Sequence, residues 1–207
     1  MKKTAAALSL MLLCGCAAIR PAVSPHPSSY SLTGARDSAA PVPPRPHAAL
    51  SAPTLIVSPP HAAAGFDSPR MMYLRQPEQL EYFAHNEWVD TPARMLAPLV
   101  VAAVANSGAF RAVVSTPSTA AGEMRLDTEI LRLQHEFSST PSQVRFTLRA
   151  YLVESATRRV IESREFEAVI AAASEDPHGG VVAANSAVQI VLAKLSTFCA
   201  EAARNRR

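Results

Sequence analysis

Glycine is scarce in this chain, seven in 207 residues, and never falls into the spaced pattern that wraps a phosphate. No G-x-S-x-G elbow occurs, so a serine nucleophile has no ready perch. Six histidines are scattered along the sequence, and none has the i, i+4 spacing with which a helix presents two ligands to zinc. These gaps leave no expected cofactor, no metal and no catalytic set. Cysteine is equally sparse, at Cys14, Cys16 and Cys199. With so few, the fold cannot rest on a disulfide framework.

A charge excess is missing too. Two of the 20 basic residues, Lys2 and Lys3, lie in an N-terminal leader, which leaves 18 against 17 acidic residues in the rest. A nucleic-acid binder needs a clustered basic face, so nucleic acid is excluded as a partner.

What is present begins with an address. Lys2 and Lys3 precede an apolar run, Ala5 to Leu13, too short for a permanent membrane span. A basic start and such a run make residues 1–15 a secretory signal peptide. The run ends in Leu13-Cys14-Gly15-Cys16, which resembles a bacterial lipobox with Cys16 as the residue that receives the lipid (palmitate among its acyl chains). Bulky Leu13 makes Cys14 the poorer fit, and an ordinary signal peptide without lipid is the alternative. Ala17, in place of aspartate, matches sorting to the outer membrane, so the expected location is the periplasmic face of that membrane.

Residues 16–53 form a tether and loop. Ala17 to Pro53 holds eight of the 17 prolines and few bulky apolar residues, a composition that buries too little surface to offset ordering. Ser29-Tyr-Ser-Leu-Thr33 is the exception, a short alternating stretch. The tether before it, Ala17 to Ser28, reaches at most about 40 Å when extended.

One domain is expected over residues 54–207, a length that suits a single core. Thr54 to Ser58 reads as a buried strand, and Arg70 to Arg75 and Leu80 to Trp88 as two more, joined around Gln76-Pro77-Glu78. Thr91 is placed to accept a hydrogen bond from an open amide, and Pro92 stands where a missing N–H costs nothing. A helix follows to about Asn106, with Pro98 predicting a kink or a late start. Phe110 to Thr116 is a strand. Two long strands then flank Ser138 to Ser142, the first needing a bulge near Ile130-Leu131 to keep its apolar face. A further strand, Arg159 to Ala172, shifts phase between Val160 and Phe166. Val181, Ala184, Val188, Val191, Leu195 and Phe198 then mark a second amphipathic helix, preceded by Gly179-Gly180. The expected fold is α+β, a mixed, largely antiparallel sheet of six to seven strands with two helices packed on one face. Its polar strand faces look outward and offer a surface to other copies in a homo-oligomer.

Few residues invite a chemical reading. Asp127, Glu129 and Glu136 with Arg145 and Arg149 opposite are cross-strand charge pairs more simply than paired catalytic carboxylates. Cys199, beside Phe198 on a helix, reads as a small buried hydrophobe. The only tryptophan, Trp88, is either a core anchor or, with Asp90 and Arg94 nearby, the centre of a partner-binding corner.

Arg70-Met-Met-Tyr73 and Tyr82-Phe-Ala-His-Asn-Glu-Trp-Val-Asp-Thr-Pro-Ala-Arg-Met-Leu96 resemble the signature of the ABC-type transport auxiliary lipoproteins. The resemblance runs from about Tyr30 to the C-terminus, with Trp88-Val-Asp-Thr-Pro92 its most specific part and Tyr30-Ser-Leu32 like the family's entry strand. It implies a non-enzymatic, lipid-anchored accessory whose partners are an MCE-domain protein and an ABC transporter that move lipid. The other readings are a periplasmic carrier with an internal apolar cavity, and an envelope hydrolase. If Cys16 carries the anchor, Cys16→Ser moves the protein from the membrane pellet to the soluble periplasmic fraction, read by immunoblot.

Overall fold

The computed structural model describes residues 27–33, 49 and 51–205. The leader, Cys16 and most of the proline-rich segment lie outside the described residues. In chain order the elements are β1 (Ser28–Tyr30), β2 (Thr54–Val57), β3 (His61–Ala62), β4 (Arg70–Leu74), β5 (Leu80–Trp88) and α1 (Pro92–Ala105). There follow β6 (Ala112–Ser115), β7 (Met124–Glu136), β8 (Gln143–Glu154), β9 (Val160–Ala171) and α2 (Pro177–Arg204).

Strand β7 is the spine. One of its edges pairs antiparallel with β8 along nearly its whole length. Its other edge is shared by three short parallel strands in succession: β2 against Met124 to Leu126, β3 against Glu129 and Ile130, and β4 against His135 and Glu136. Around that spine β6 adds parallel to β2, β5 antiparallel to β4, β1 parallel to β5, and β9 antiparallel to β8. The nine strands described form one mixed sheet. That exceeds the expected six to seven. The surplus is β1, anticipated only as the short alternating stretch from Ser29, and β3, whose two residues are too few for alternation to announce.

The bulge expected near Ile130-Leu131 lies between Ile130 and Arg132. Before it Met124, Leu126 and Ile130 face inward; after it Leu133 does. The extra residue thus keeps one side of β7 apolar although the sequence changes phase. A second register shift, where Leu152 opposes Glu162 but Val153 opposes Val160, is the phase change anticipated in β9.

Both helices cover one side of this sheet. Helix α2 lies across β8 and β9, and α1 packs beside it and against β3, β6 and β7. Leu96, Val100 and Val104 of α1 and Val188, Val191 and Leu195 of α2 are fully buried. Helix α2 is long and apolar enough by composition to cross a membrane, but half of that stretch is buried within the fold. Its apolar character is used on the sheet.

Two helix starts differ from expectation. Thr91 is the N-cap of α1, but its side chain makes no capping hydrogen bond. Asp90 Oδ1 instead accepts the Thr91 N–H at 2.7 Å. Pro98 causes no late start: the helix runs from Pro92 through it, with the proline on the exposed side. There the carbonyl left without a donor can be met by water. At the other helix, the glycine pair lies inside rather than before it. Asp176 is the N-cap, accepting the Gly179 N–H at 2.7 Å, and Pro177 opens the first turn. The glycines are there for close approach. A Cβ on Gly179 would lie 2.3 Å from the Ser174 carbonyl oxygen, and one on Gly180 2.5 Å from His135 Nδ1.

Gly179→Ala therefore lowers stability although alanine favours a helix interior by about 1 kcal/mol. The overpacking cost is about 1–3 kcal/mol, and urea unfolding followed by circular dichroism should show a lower midpoint than wild type.

Candidate docking corner around Trp88

Strand β5 delivers its last residue inward. Trp88 is 5 % exposed, and its backbone N–H donates to the Pro69 carbonyl at 2.7 Å. One residue on, the Val89 N–H donates to the Tyr30 carbonyl at 2.8 Å, so β1 holds the chain where it turns from sheet to helix. Alternation then sends Val89 outward, and it is 58 % exposed, the most open of the large apolar side chains described.

Asp90 and Arg94 follow on the same corner. Asp90 Oδ2 pairs with Arg94 Nε at 3.2 Å across one helical turn, with the arginine side chain 77 % exposed. The three residues singled out in the sequence are thus adjacent but unequal: Trp88 supports the corner from beneath, and Asp90 and Arg94 stand on it. Val89 was the residue sequence reasoning passed over. The signal was there, because a buried tryptophan at a strand end forces its successor out. An apolar side chain beside an exposed arginine is a surface suited to protein contact.

The acidic trio divides. Glu129 meets Arg149 at 3.3 Å, and Glu136 meets Arg145 at 2.8 Å, both across strands. Asp127 instead pairs at 3.1 Å with Arg125 of its own strand. Each central arginine also reaches β9: Arg145 pairs with Glu167 and Arg149 with Glu165. Burial raises the Glu136 carboxyl, but hydrogen bonds from Arg145 and Gln134 outweigh it and hold the group below the usual range. These are ladders of paired charge, with no nucleophile among them.

Burial pushes the Cys199 thiol up to about 12, which leaves it uncharged and unreactive at neutral pH. Among the described residues no three His, Cys, Asp or Glu side chains converge as metal ligands would. A recess lined by Met71, Met72, Phe83, Trp88 and His135 among others has a volume of about 20 Å³. That is room for a single water, not for an acyl chain. Two larger depressions of about 630 and 570 Å³ are open clefts, one beside Glu123, the other between α1 and β6.

Residues 30–196 match the family model described as the ABC-type transport auxiliary lipoprotein component. Among solved structures the chain is similar to a Xanthomonas campestris protein assigned to the family DUF330. The TM-score is 0.71 at 22 % identity, over 86 % of this chain and 98 % of that one. The crystal structure of an uncharacterised protein gives a TM-score of 0.64 at 12 % identity, covering 84 % and 99 %. A hypothetical protein of Chlamydia trachomatis gives 0.51 at 9 % identity, covering 74 % and 98 %. At such identities the likeness is one of fold. No curated protein matches the sequence.

The corner predicts a split between stability and contact. Trp88→Ala costs about 3–5 kcal/mol of unfolding free energy, the range for a buried aromatic. Arg94→Ala, which breaks only an exposed pair, costs under about 1 kcal/mol. Urea titrations of the two variants check both values.

Proposed function

The chain belongs to the family of ABC-type transport auxiliary lipoprotein components, and from that membership we propose that it is the non-enzymatic docking accessory of a lipid-transport system. Its partners in this reading are an MCE-domain protein that carries lipid and the ABC transporter that supplies energy. Lipid on Cys16 tethers the domain to the periplasmic face of the outer membrane. The observation that carries the reading is the Val89-Asp90-Arg94 surface standing on buried Trp88. The recess beside Trp88 is about 20 Å³ and the two larger depressions are open clefts, whereas an internal carrier needs a chain-length apolar cavity. Homo-oligomer formation fits the same role, because among the described residues β6 and β9 each pair with a single neighbour.

The test is co-purification of the lipidated protein with the MCE-domain protein, compared with Val89→Asp and Arg94→Glu. Each variant should keep the wild-type melting curve and lose at least about tenfold in partner affinity, since hot-spot residues are worth 2 kcal/mol or more. Deletion should also sensitise cells to detergent. Absence of any complex, together with intact lipid transport in the deletion strain, refutes the proposal.

A further inference from the structure

His135 is the buried titratable group that the docking role leaves unused. It sits near the end of β7, 4 % exposed, with its ring 4.1 Å from that of Phe137 and 6.3 Å from that of Phe83. Nε2 lies 2.8 Å from Ser142 Oγ. Nδ1 is buried and has no partner among the described residues. It points at the bare Cα of Gly180, where there is no space even for a methyl group. The recess bounded by Met71, Met72 and Trp88 opens beside the same ring.

Ser142 makes this a junction. Its N–H donates to Glu175 Oε1 at 2.8 Å, and its carbonyl accepts the Ala172 N–H at 2.8 Å. One imidazole therefore touches the ends of β7 and β8, the ribbon of β4 and β5, and the opening turn of α2.

We propose that His135 is a proton-operated latch, which while neutral holds the β4–β5 ribbon and the start of α2 against the β7–β8 hairpin, and which on protonation releases that corner. In the neutral ring one nitrogen donates and the other accepts. The arrangement fits a proton on Nε2 shared with Ser142, and a lone pair on Nδ1 facing the positive end of the helix dipole. A second proton would place an N–H with no acceptor against that positive end. An unmet buried charge of this kind is costly.

Relief would have to come from a neighbouring carboxylate, and each already has a partner. Glu175 holds Ser142, and Asp176 caps the Gly179 N–H. On β5, Glu81 accepts the Tyr73 hydroxyl at 2.8 Å, with Arg75 against the same tyrosine. Glu136 is held by Arg145. The remaining titratable neighbour, His178 in the first turn of α2, lies toward Tyr30. Protonation thus draws Glu175 off Ser142 or fixes a water in the recess against the new N–H, and the first of these loosens the corner on which Trp88 rests.

The direction in pH follows. Burial lowers the His135 basicity from the free value of 6.5, with Glu175 and Asp176 acting the other way. As pH falls below 6.5 an unfolded or opened chain takes up the proton before the closed one does. The closing contribution is therefore complete above that pH and is lost as pH falls through the lower folded value.

Hydrogen exchange of the full-length protein in detergent, corrected for the intrinsic pH dependence, tests this between pH 7.5 and 5.0. Segments 133–144 and 175–184 should exchange at least about tenfold faster at the acid end, reversibly, with matching acrylamide quenching of the single tryptophan. His135→Gln keeps a donor for Ser142 but cannot ionise, and its exchange should stay flat across the range. The imidazole nitrogen shifts of the wild-type protein, followed by NMR, should titrate with the same midpoint. Wild-type exchange that does not change with pH overturns the latch. So does acid-accelerated exchange that survives in His135→Gln, or that precedes protonation of the His135 ring.

Discussion

Everything in this fold hangs from the two edges of one strand. Met124–Glu136 is 13 residues long, about 40 Å at strand rise, and both of its edges carry partners. Strand β8 takes one edge alone, whereas β2, β3 and β4 divide the other. The three run in the same direction along that edge, so the segments between them, residues 58–60 and 63–69, carry the chain forward rather than reversing it. Antiparallel β8 and β9 need only hairpins. The division explains why one half of the molecule is regular and the other is assembled from fragments. It also explains where the bulge must go, because without the extra residue near Ile130 the inward face would turn polar before the hairpin.

A covering helix imposes the second constraint. Helix α2 lies over β8 and β9, and Ala183, Ala184 and Ala187 are among its buried residues. Small side chains let the helix approach the sheet, and the two glycines let its first turn come nearer still. Proximity at that end brings Gly180 onto His135 and Glu175 onto Ser142. The same tightness that closes the core thus leaves one imidazole nitrogen without a partner among the described residues.

Sequence reasoning succeeded where one residue type repeated at a fixed step. Val144, Phe146, Leu148, Ala150 and Leu152 alternate through the second of the two long strands, now β8, and the apolar spacing from Val181 to Phe198 marked the body of α2. It failed where structure depends on contacts distant in the chain. His61-Ala62 becomes β3 only because it meets Glu129 and Ile130. Gly179-Gly180 was placed ahead of the helix, because the sequence does not reveal that Ser174 and His135 crowd the position. Thr91 is the N-cap by position, yet its side chain makes no capping hydrogen bond. The importance of Trp88 was legible from its solitude and from the motif around it. The environment of His135 was not, since its partners come from three separate elements.

The outward sheet face bears on where a partner can bind. Arg145 and Arg149 each sit between two glutamates, one on β7 and one on β9. Their charges are therefore satisfied within the protein, and a partner docking there would have to replace several hydrogen bonds before making its own. Such exchange contributes little net affinity. Val89 is different: it satisfies nothing inside the molecule, and burying it costs only water already in contact with an apolar surface. Arg94, bound by a single exposed pair, can be redirected at small cost. In the proposed role the physical balance thus favours contact at the corner between β5 and α1 over the charged face.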